Sequence, residues 1–324
     1  MKPLISACII TDRNIDQTLA SIADLVDEVT VVVSHKDKEK MIVNSTPVPL
    51  VIEYRPWDND FSAARNRAIE LAHGEWILYI DSDEWLVFEE GCSADQLRTV
   101  LETTTADAFW IPFHNWTNEE KTNQSLSRMM RIFRKKGARF EGKVHNALMG
   151  FPVGEQMLGL HIEHDGFDSR EKMRKKAIDR MPIYTEMLED PSTDDNWHVW
   201  YNYAKNCWFA QDIPKCINAC SKAIELLKAG GMLNEETPYV DIFRIQAICR
   251  MSMGQFQGAD NALIEGALNH CPRYSDAYYE LYLLHGLMAD HYDKCWQAEL
   301  AFRRESGNIS AYDIIHWGEA DEVS

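Results

Sequence analysis

Several features that would assign this 324-residue chain to a familiar class are missing from its sequence. No apolar run approaches the roughly 20 residues that cross a bilayer, and no small-residue cleavage site follows the apolar stretch near the amino terminus. The eight cysteines are scattered without a C-x-x-C pair, which favours reduced core thiols over disulfides or zinc. We therefore expect a soluble, cytoplasmic protein whose first apolar stretch is a buried strand.

The sequence also has few positively charged residues: it contains 33 lysines and arginines and 51 acidic residues, so the net charge is −18. This balance argues against a protein that coats nucleic acid or membrane with its whole surface. The cations concentrate between residues 128 and 180. This basic stretch could receive an anionic acceptor such as modified DNA or a phosphorylated lipid or glycan, although the run after Arg170 is more typical of one exposed helix.

The first half of the chain alternates short apolar runs with helical patterns, which predicts an α/β fold with a parallel sheet covered by helices. Strands are expected at 4–10, 29–33, 48–54 and 76–81, followed by a helix near 93–102 and further strands at 106–113 and 127–134.

After about residue 170 the sequence becomes helical, in segments whose two halves are separated at Gln211-Asp212, Gly254-Gln255 and Asp290-His291. The segments recur at the periods of helical repeats, so we expect residues 1–169 to form one domain and residues 170–324 a tetratricopeptide-like repeat domain. An irregular helical bundle is the alternative.

The stretch WILYIDSDEW (76–85) runs a buried strand directly into Asp81 and Asp83. Open sheets bind ligands at the carboxyl ends of their strands, and alternation points both carboxylates to one side while Ser82 points away. Carboxylate oxygens suit Mg²⁺ or Mn²⁺, which can bridge a protein to a diphosphate. A polar turn is the plainer explanation of a D-x-D taken alone. Four more polar residues follow the first two strands at the same edge: Thr11, Asp12, Asn14 and Ser34.

The longer stretch YRPWDNDFSAARNRAIELAHGEWILYIDSDEWL closely resembles family 2 glycosyltransferases of the GT-A fold. It is similar to the branch in which W-x-D-D-F-S-x-A-R-N precedes the D-x-D and a repeat domain follows. The segments RFEGKVHN (139–146) and LHIEHDGF (160–167) resemble two further family segments. The resemblance covers residues 4 to 170. It implies a nucleotide-sugar donor, with a UDP-sugar as the first choice, a Mn²⁺ or Mg²⁺ ion, and sugar transfer with inversion at the anomeric carbon.

The resemblance also implies roles for single residues. Asp81 would lie near the ribose and the metal, Asp83 would ligate the metal at the catalytic centre, and His164 would be a third ligand with His161 behind it. His145 would contact the donor phosphates or the acceptor. Three residues upstream of the D-x-D would hold or orient the nucleotide: Asp60, Arg65 and Asn66.

Two departures from the family pattern matter. Ser34 stands where such families carry an aspartate that pairs with uracil, and Asn146 stands where this branch usually has a glutamate. If that glutamate is the general base, Glu141 or Asp165 must replace it here, or activity is lost. The alternative is therefore a non-catalytic scaffold with a protein-binding repeat array. A nucleotidyltransferase is disfavoured, because no glycine-rich, lysine-bearing loop follows the first strand.

The acceptor is not named by the fold. A repeat domain with a concave face suits a protein or peptide acceptor, and it could equally form a homodimer. A glycan and a modified nucleic acid are the other acceptors that we expect.

Overall fold

The computed structural model describes residues 3–34, 46–116, 122, 124–151, 154–164, 169–233 and 238–305. The chain divides into two compact units, Met1–Glu189 and Asp190–Ser324. The helix Arg170–Glu189 falls in the first unit. The expected domain boundary after residue 169 stays a prediction.

The described strands all belong to the first unit: β1 (Ile5–Thr11), β2 (Glu28–Val33), β3 (Leu50–Tyr54), β4 (Trp76–Tyr79), β5 (Glu84–Phe88), β6 (Ala108–Trp116), β7 (Gln124–Arg134), β8 (Arg139–Glu141), β9 (Ala147–Met149), β10 (Glu155–Gln156) and β11 (Leu160–His164). Four helices accompany them: α1 (Asp16–Ile22), α2 (Phe61–Leu71), α3 (Ala94–Thr103) and α4 (Arg170–Glu189).

The large sheet has the strand order β3-β2-β1-β4-β7-β6-β11-β5, with β10 paired to β6. The first four strands in this order are parallel neighbours, as the alternation predicted. Strand β7 then runs antiparallel to both β4 and β6, and β11 runs parallel to β6 and antiparallel to β5. The α/β class is confirmed, but the sheet is mixed rather than parallel. Strands β8 and β9 form a separate hairpin.

The two faces of the sheet are buried under different helices because side chains alternate along each strand. Ile5 and Ile9 of β1 pack in one core cluster with residues of α1 and α3. Cys8, from the same strand, packs on the other face with Ala64 and Ala68 of α2. This three-layer arrangement brings the carboxyl ends of β1, β2 and β4 to one edge, beside the start of α2.

The second unit is helical: α5 (Trp197–Ala210), α6 (Ile213–Ala229), α7 (Asp241–Ser252), α8 (Phe256–Asn261), a π-helical stretch (Ala262–Leu268) and α9 (Ser275–Glu305), with 3₁₀ turns at Pro191–Thr193 and Pro238–Val240. Gln211 and Gly254 adopt left-handed backbone conformations at the two expected breaks, which is how helices commonly stop.

The third expected break, at Asp290-His291, is wrong: α9 runs through it without interruption. This pair carries no glycine or proline that would end a helix. The buried residues of the first helices of this unit include the small residues Ala204 and Ala247. None of the helices in the described part of the chain combines the length and apolarity needed to cross a membrane.

Candidate functional site

The D-x-D lies in a tight turn between β4 and β5. The backbone N–H of Glu84 donates to the carbonyl of Asp81 (3.1 Å), and the Glu84 carboxylate accepts from the backbone N–H of Asp81 (2.9 Å). From α1, the Thr18 hydroxyl donates to the carbonyl of Glu84 (2.8 Å). These three hydrogen bonds fix the backbone of the turn and hold the carboxylates of Asp81 and Asp83 at the edge of the sheet.

Asp81 is surrounded by groups that favour its ionised form. Its two carboxylate oxygens accept from Arg65 (3.3 Å) and Arg131 (3.4 Å), and the Tyr79 hydroxyl also donates to it. Burial alone would raise the pKa of Asp81, but the charges of Arg131 and Arg65 lower it well below its usual range. Both guanidinium groups also lie over the Tyr79 ring, 4.6 and 5.1 Å from its centroid. Asp81 is therefore a fixed anion whose oxygens already have partners.

Behind Asp81 lies a buried ion pair that the sequence analysis missed. Arg131 is only 7% exposed and Glu84 only 2%, and the two side chains are hydrogen-bonded. Burial raises the pKa of Glu84, while the Arg131 charge opposes that rise. A lone arginine inside the apolar run MMRIF was the available signal, because such a residue needs a buried carboxylate partner.

Asp83 has different neighbours. Its carboxylate lies 3.6 Å from Nε2 of His164 and 3.4 Å from Arg13. On the other side of the ring, Nδ1 of His164 lies 2.8 Å from the amide oxygen of Asn115. An amide oxygen can only accept, so Nδ1 carries a proton. When the ring is charged, Nε2 also carries a proton and donates toward Asp83; when the ring is neutral, the lone pair of Nε2 faces Asp83.

The pKa values of this pair shift in opposite directions. Burial alone would raise the pKa of Asp83, but the hydrogen bond and charge of His164, followed by Arg13, lower it. Burial alone would lower the pKa of His164, and Asp83 raises it above its ordinary value.

The expected metal ligands are only partly brought together. Within the described residues, no group of three or more histidine, cysteine, aspartate or glutamate side chains is placed to hold a metal ion. Asp83 and His164 converge, whereas Asp81 is bonded to arginines. His161 does not join them, because its ring stacks on His114 with centroids 4.2 Å apart.

Two cavities meet at this centre. The strand-end cavity, of about 620 Å³, contains six of the residues expected at a nucleotide site together with Asp83. Those seven residues are Thr11, Asp12, Ser34, Arg65, Asp81, Ser82 and Asp83. The hairpin cavity, of about 640 Å³, lies beside β7 and the β8–β9 hairpin and contains His145 and Asn146. Both cavities are lined by Phe61, Arg65, Asp81 and Arg180.

Three of the expected nucleotide-binding residues do not line either cavity and have structural partners instead. Asp60 caps α2 by accepting from the backbone N–H of Ala63 (2.9 Å). The amide of Asn66 pairs with the backbone N–H and carbonyl of Phe140, at 2.7 and 2.9 Å, and so fixes β8 onto α2. Asn14 bonds to Asp16 at the start of α1.

The residues expected to supply a general base are placed unequally. Glu141 is exposed, pairs with Arg139, and lines neither cavity. His145 lines the hairpin cavity in a left-handed backbone conformation (φ 49°). The oxygen of the Asn146 amide accepts from Arg65. Asp165 lies outside the described residues.

The sequence of this chain is similar to several known proteins. Residues 9–153 match the family model "Glycosyl transferase family 2". Over 195 residues, 58% of this chain, the sequence is 30% identical to the SPbeta prophage-derived glycosyltransferase SunS of Bacillus subtilis strain 168. Over 130 residues, 39% of this chain, it is 36% identical to a TPR repeat-containing protein of Synechococcus elongatus.

These matches span 45% and 30% of the two relatives, so the chain corresponds to less than half the length of each. Among solved structures, that of S. aureus TarS 1-349 in complex with UDP-GlcNAc aligns at 16% identity and a TM-score of 0.38, covering 82% of this chain and 91% of TarS 1-349. The family match lies within the first unit and covers most strands of the mixed sheet. Residues 9–153 of this chain are therefore similar to glycosyl transferase family 2, and the helical region that we expected to be tetratricopeptide-like follows them in the sequence.

Proposed function

We propose that this chain transfers a sugar from a UDP-sugar to an acceptor, with the donor bound in the strand-end cavity. The observation that carries this proposal is the convergence of polar residues from three strand ends, including the D-x-D, on one cavity of about 620 Å³. That volume is in the range of small-molecule sites, and carboxyl strand ends are where open α/β sheets bind nucleotides.

The nucleotide end of the cavity is supported by an aromatic wall and strand-end hydroxyls. Trp57 lines it with a half-exposed ring that packs edge-on against Phe61 at 4.7 Å. A base stacked on Trp57 would reach Thr11 and Ser34, whose hydroxyls both donate and accept hydrogen bonds. Ser34 then takes over the contact to uracil that the family resemblance gives to an aspartate.

The diphosphate end lies at Asp83. The residues there fit a divalent cation, because a carboxylate oxygen and the lone pair of a histidine nitrogen face each other at 3.6 Å and Asn115 fixes the ring. Mg²⁺ and Mn²⁺ are commonly held by one or two protein groups plus substrate phosphates. When bound, the ion neutralises charge on the departing diphosphate. Arg13 and Arg180 line the same cavity and would add positive charge there.

The transfer itself needs a single displacement at the anomeric carbon. The acceptor hydroxyl oxygen forms the new bond to that carbon while the bond to the diphosphate oxygen breaks and its electron pair leaves with UDP. The hydroxyl proton must pass to a base, and an amide such as Asn146 cannot take it. The low pKa of Asp81 makes that carboxylate a weak base. We therefore assign the proton to His145, the only histidine among the described residues lining the hairpin cavity.

A nucleotide-release assay tests the proposal and its rival, the non-catalytic scaffold. The protein is incubated with UDP-, GDP- and dTDP-sugars plus Mn²⁺, alongside Asp83→Ala and the matched control Asp95→Ala, which alters an exposed helix residue. We expect release from a UDP-sugar that survives Asp95→Ala and is lost in Asp83→Ala. No release, with no metal-dependent binding of any nucleotide, would instead support the scaffold. Protein or peptide, glycan and modified nucleic acid are the acceptors to supply in a second round.

A further inference from the structure

We propose that the hairpin cavity is the acceptor site and that it recognises a phosphate group attached to an apolar ring or chain. This inference rests on the proposed donor site in the strand-end cavity. It adds the place where the acceptor enters and the chemistry by which the acceptor is recognised.

The location follows from the geometry of displacement. In a single in-line displacement the acceptor must approach the anomeric carbon from the side opposite to the departing diphosphate. Asp83, where the diphosphate is proposed to lie, lines the strand-end cavity and not the hairpin cavity. The two cavities share Arg65, Asp81 and Arg180, so the anomeric carbon would lie at that junction. The hairpin cavity then opens on the side from which the acceptor must come.

The charge of the hairpin cavity points to an anionic ligand. Among the described residues that line it, four are arginines and Asp81 is the only carboxylate. Asp81 already bonds to Arg65 and Arg131. The other two arginines, Arg128 and Arg180, make no hydrogen bond or ion pair within the described part of the chain. Two cations without an ion-pair partner, beside a cavity whose one carboxylate among the described lining residues is already bonded, favour an anion.

The arginines lie beside an apolar wall. Trp110 is 39% exposed and Met129 is 37% exposed, and both line the cavity with the rings of Phe140 and Phe151. Guanidinium groups bind phosphate through paired N–H donors, whereas an apolar ring or chain attached to that phosphate would cover the exposed wall. A ligand with both features satisfies the cations and the wall together.

The volume limits what enters. A cavity of about 640 Å³ takes a ligand of small-molecule size. Duplex DNA cannot enter it, because its double helix is far wider than such a cavity. A polymeric acceptor would therefore present one end or one unit, recognised by its phosphate rather than by its overall charge.

Methionine methyl groups give a direct test. Protein labelled with ¹³C at the methionine methyls is saturated with UDP and Mn²⁺ and titrated with phenyl phosphate, or with phenol as the neutral counterpart. We expect phenyl phosphate to shift the resonances of Met129 and Met130, which line the cavity, and to leave Met253 of the second unit unchanged. Phenol should bind at least tenfold more weakly, because it lacks the charge-assisted bonds.

Two variants separate recognition from bulk charge. Arg128→Gln should weaken phenyl phosphate binding about tenfold, the effect of losing one charge-assisted hydrogen bond. Arg174→Gln is the matched control, because Arg174 is exposed on α4 and lines neither cavity. Equal effects of the two variants, or equal binding of phenol, would overturn the inference.

The proposed donor site is tested separately, by measuring UDP binding with calorimetry. Retained UDP binding without shifts at Met129 and Met130 overturns the acceptor site alone. Loss of UDP binding as well overturns both proposals.

Discussion

Replacing Arg131 with methionine should destabilise the first unit strongly. The side chain of Arg131 bonds to Glu84 and Asp81 and lies over the Tyr79 and Phe113 rings, at 5.1 and 5.8 Å. Methionine fills much of the same space but leaves Glu84 buried without its cation. Removing one partner of a buried ion pair costs about 3–5 kcal/mol. Asp81 loses less, because it keeps Arg65 and the Tyr79 hydroxyl.

The double variant Glu84→Gln/Arg131→Met isolates the cause. Glutamine keeps an oxygen that can accept from the backbone N–H of Asp81 but carries no charge. The remaining loss is the long bond between Arg131 and Asp81, about 1.5 kcal/mol for a hydrogen bond to a charged group. We therefore expect the double variant to be about 1.5–3.5 kcal/mol more stable than Arg131→Met alone.

Hydrogen exchange read by mass spectrometry suits this measurement. Free energies of opening are taken from the most protected amides of β7, which carries Arg131, and of β4, which pairs with β7. This avoids treating a protein of two units as one cooperative transition. If the double variant is as unstable as Arg131→Met, or if Arg131→Met costs less than about 1 kcal/mol, the buried-charge explanation is wrong.

Three further predictions concern stability. Burial alone would raise the pKa of Asp27, but hydrogen bonds from backbone N–H groups and from Arg98 lower it below its ordinary value of 3.8. Asp27→Asn should therefore lower the melting temperature at pH 6. The difference in melting temperature between the variant and the parent protein should shrink as the pH falls below about 3.8. A constant deficit would contradict this sign. Asp60→Ala should cost about 1 kcal/mol through the lost cap of α2, while Asp60→Asn should cost far less in the same melting experiment. Gly266→Ala would place a methyl group against the Phe243 ring and should cost about 1–3 kcal/mol, whereas Gly286→Ala meets no atom within 4 Å and should not destabilise.

The sequence predicted the parts of the fold that are determined locally. The four parallel strands are short runs rich in apolar residues. The helix after Ser93 has a complete capping box with Gln96, which is visible in the sequence. Strand β5 was missed because it begins at the acidic Glu84 and pairs with β11 from a distant part of the chain. The short strands β8 and β9 were missed for a related reason, since three residues carry too little periodicity to identify a strand.

The candidate site shows the same division between local and distant information. Alternation along the strand does not distinguish Asp81 from Asp83, because it points both carboxylates to the same side. They differ in the structure because Arg65 and Arg131 reach Asp81 from α2 and β7, whereas His164 reaches Asp83 from β11. No spacing within the D-x-D contains that information.

Asn146 lines the hairpin cavity that we propose as the acceptor site. The family resemblance places a glutamate there. A glutamate would add a second carboxylate beside Arg65, which already pairs with Asp81 and whose guanidinium bonds to the Asn146 amide. An amide satisfies the hydrogen bond without cancelling the charge. The substitution therefore removes a carboxylate from the hairpin cavity and leaves the cavity more positive by one charge. The change that deprives the site of its expected base is thus the same change that makes the site more favourable for an anionic acceptor.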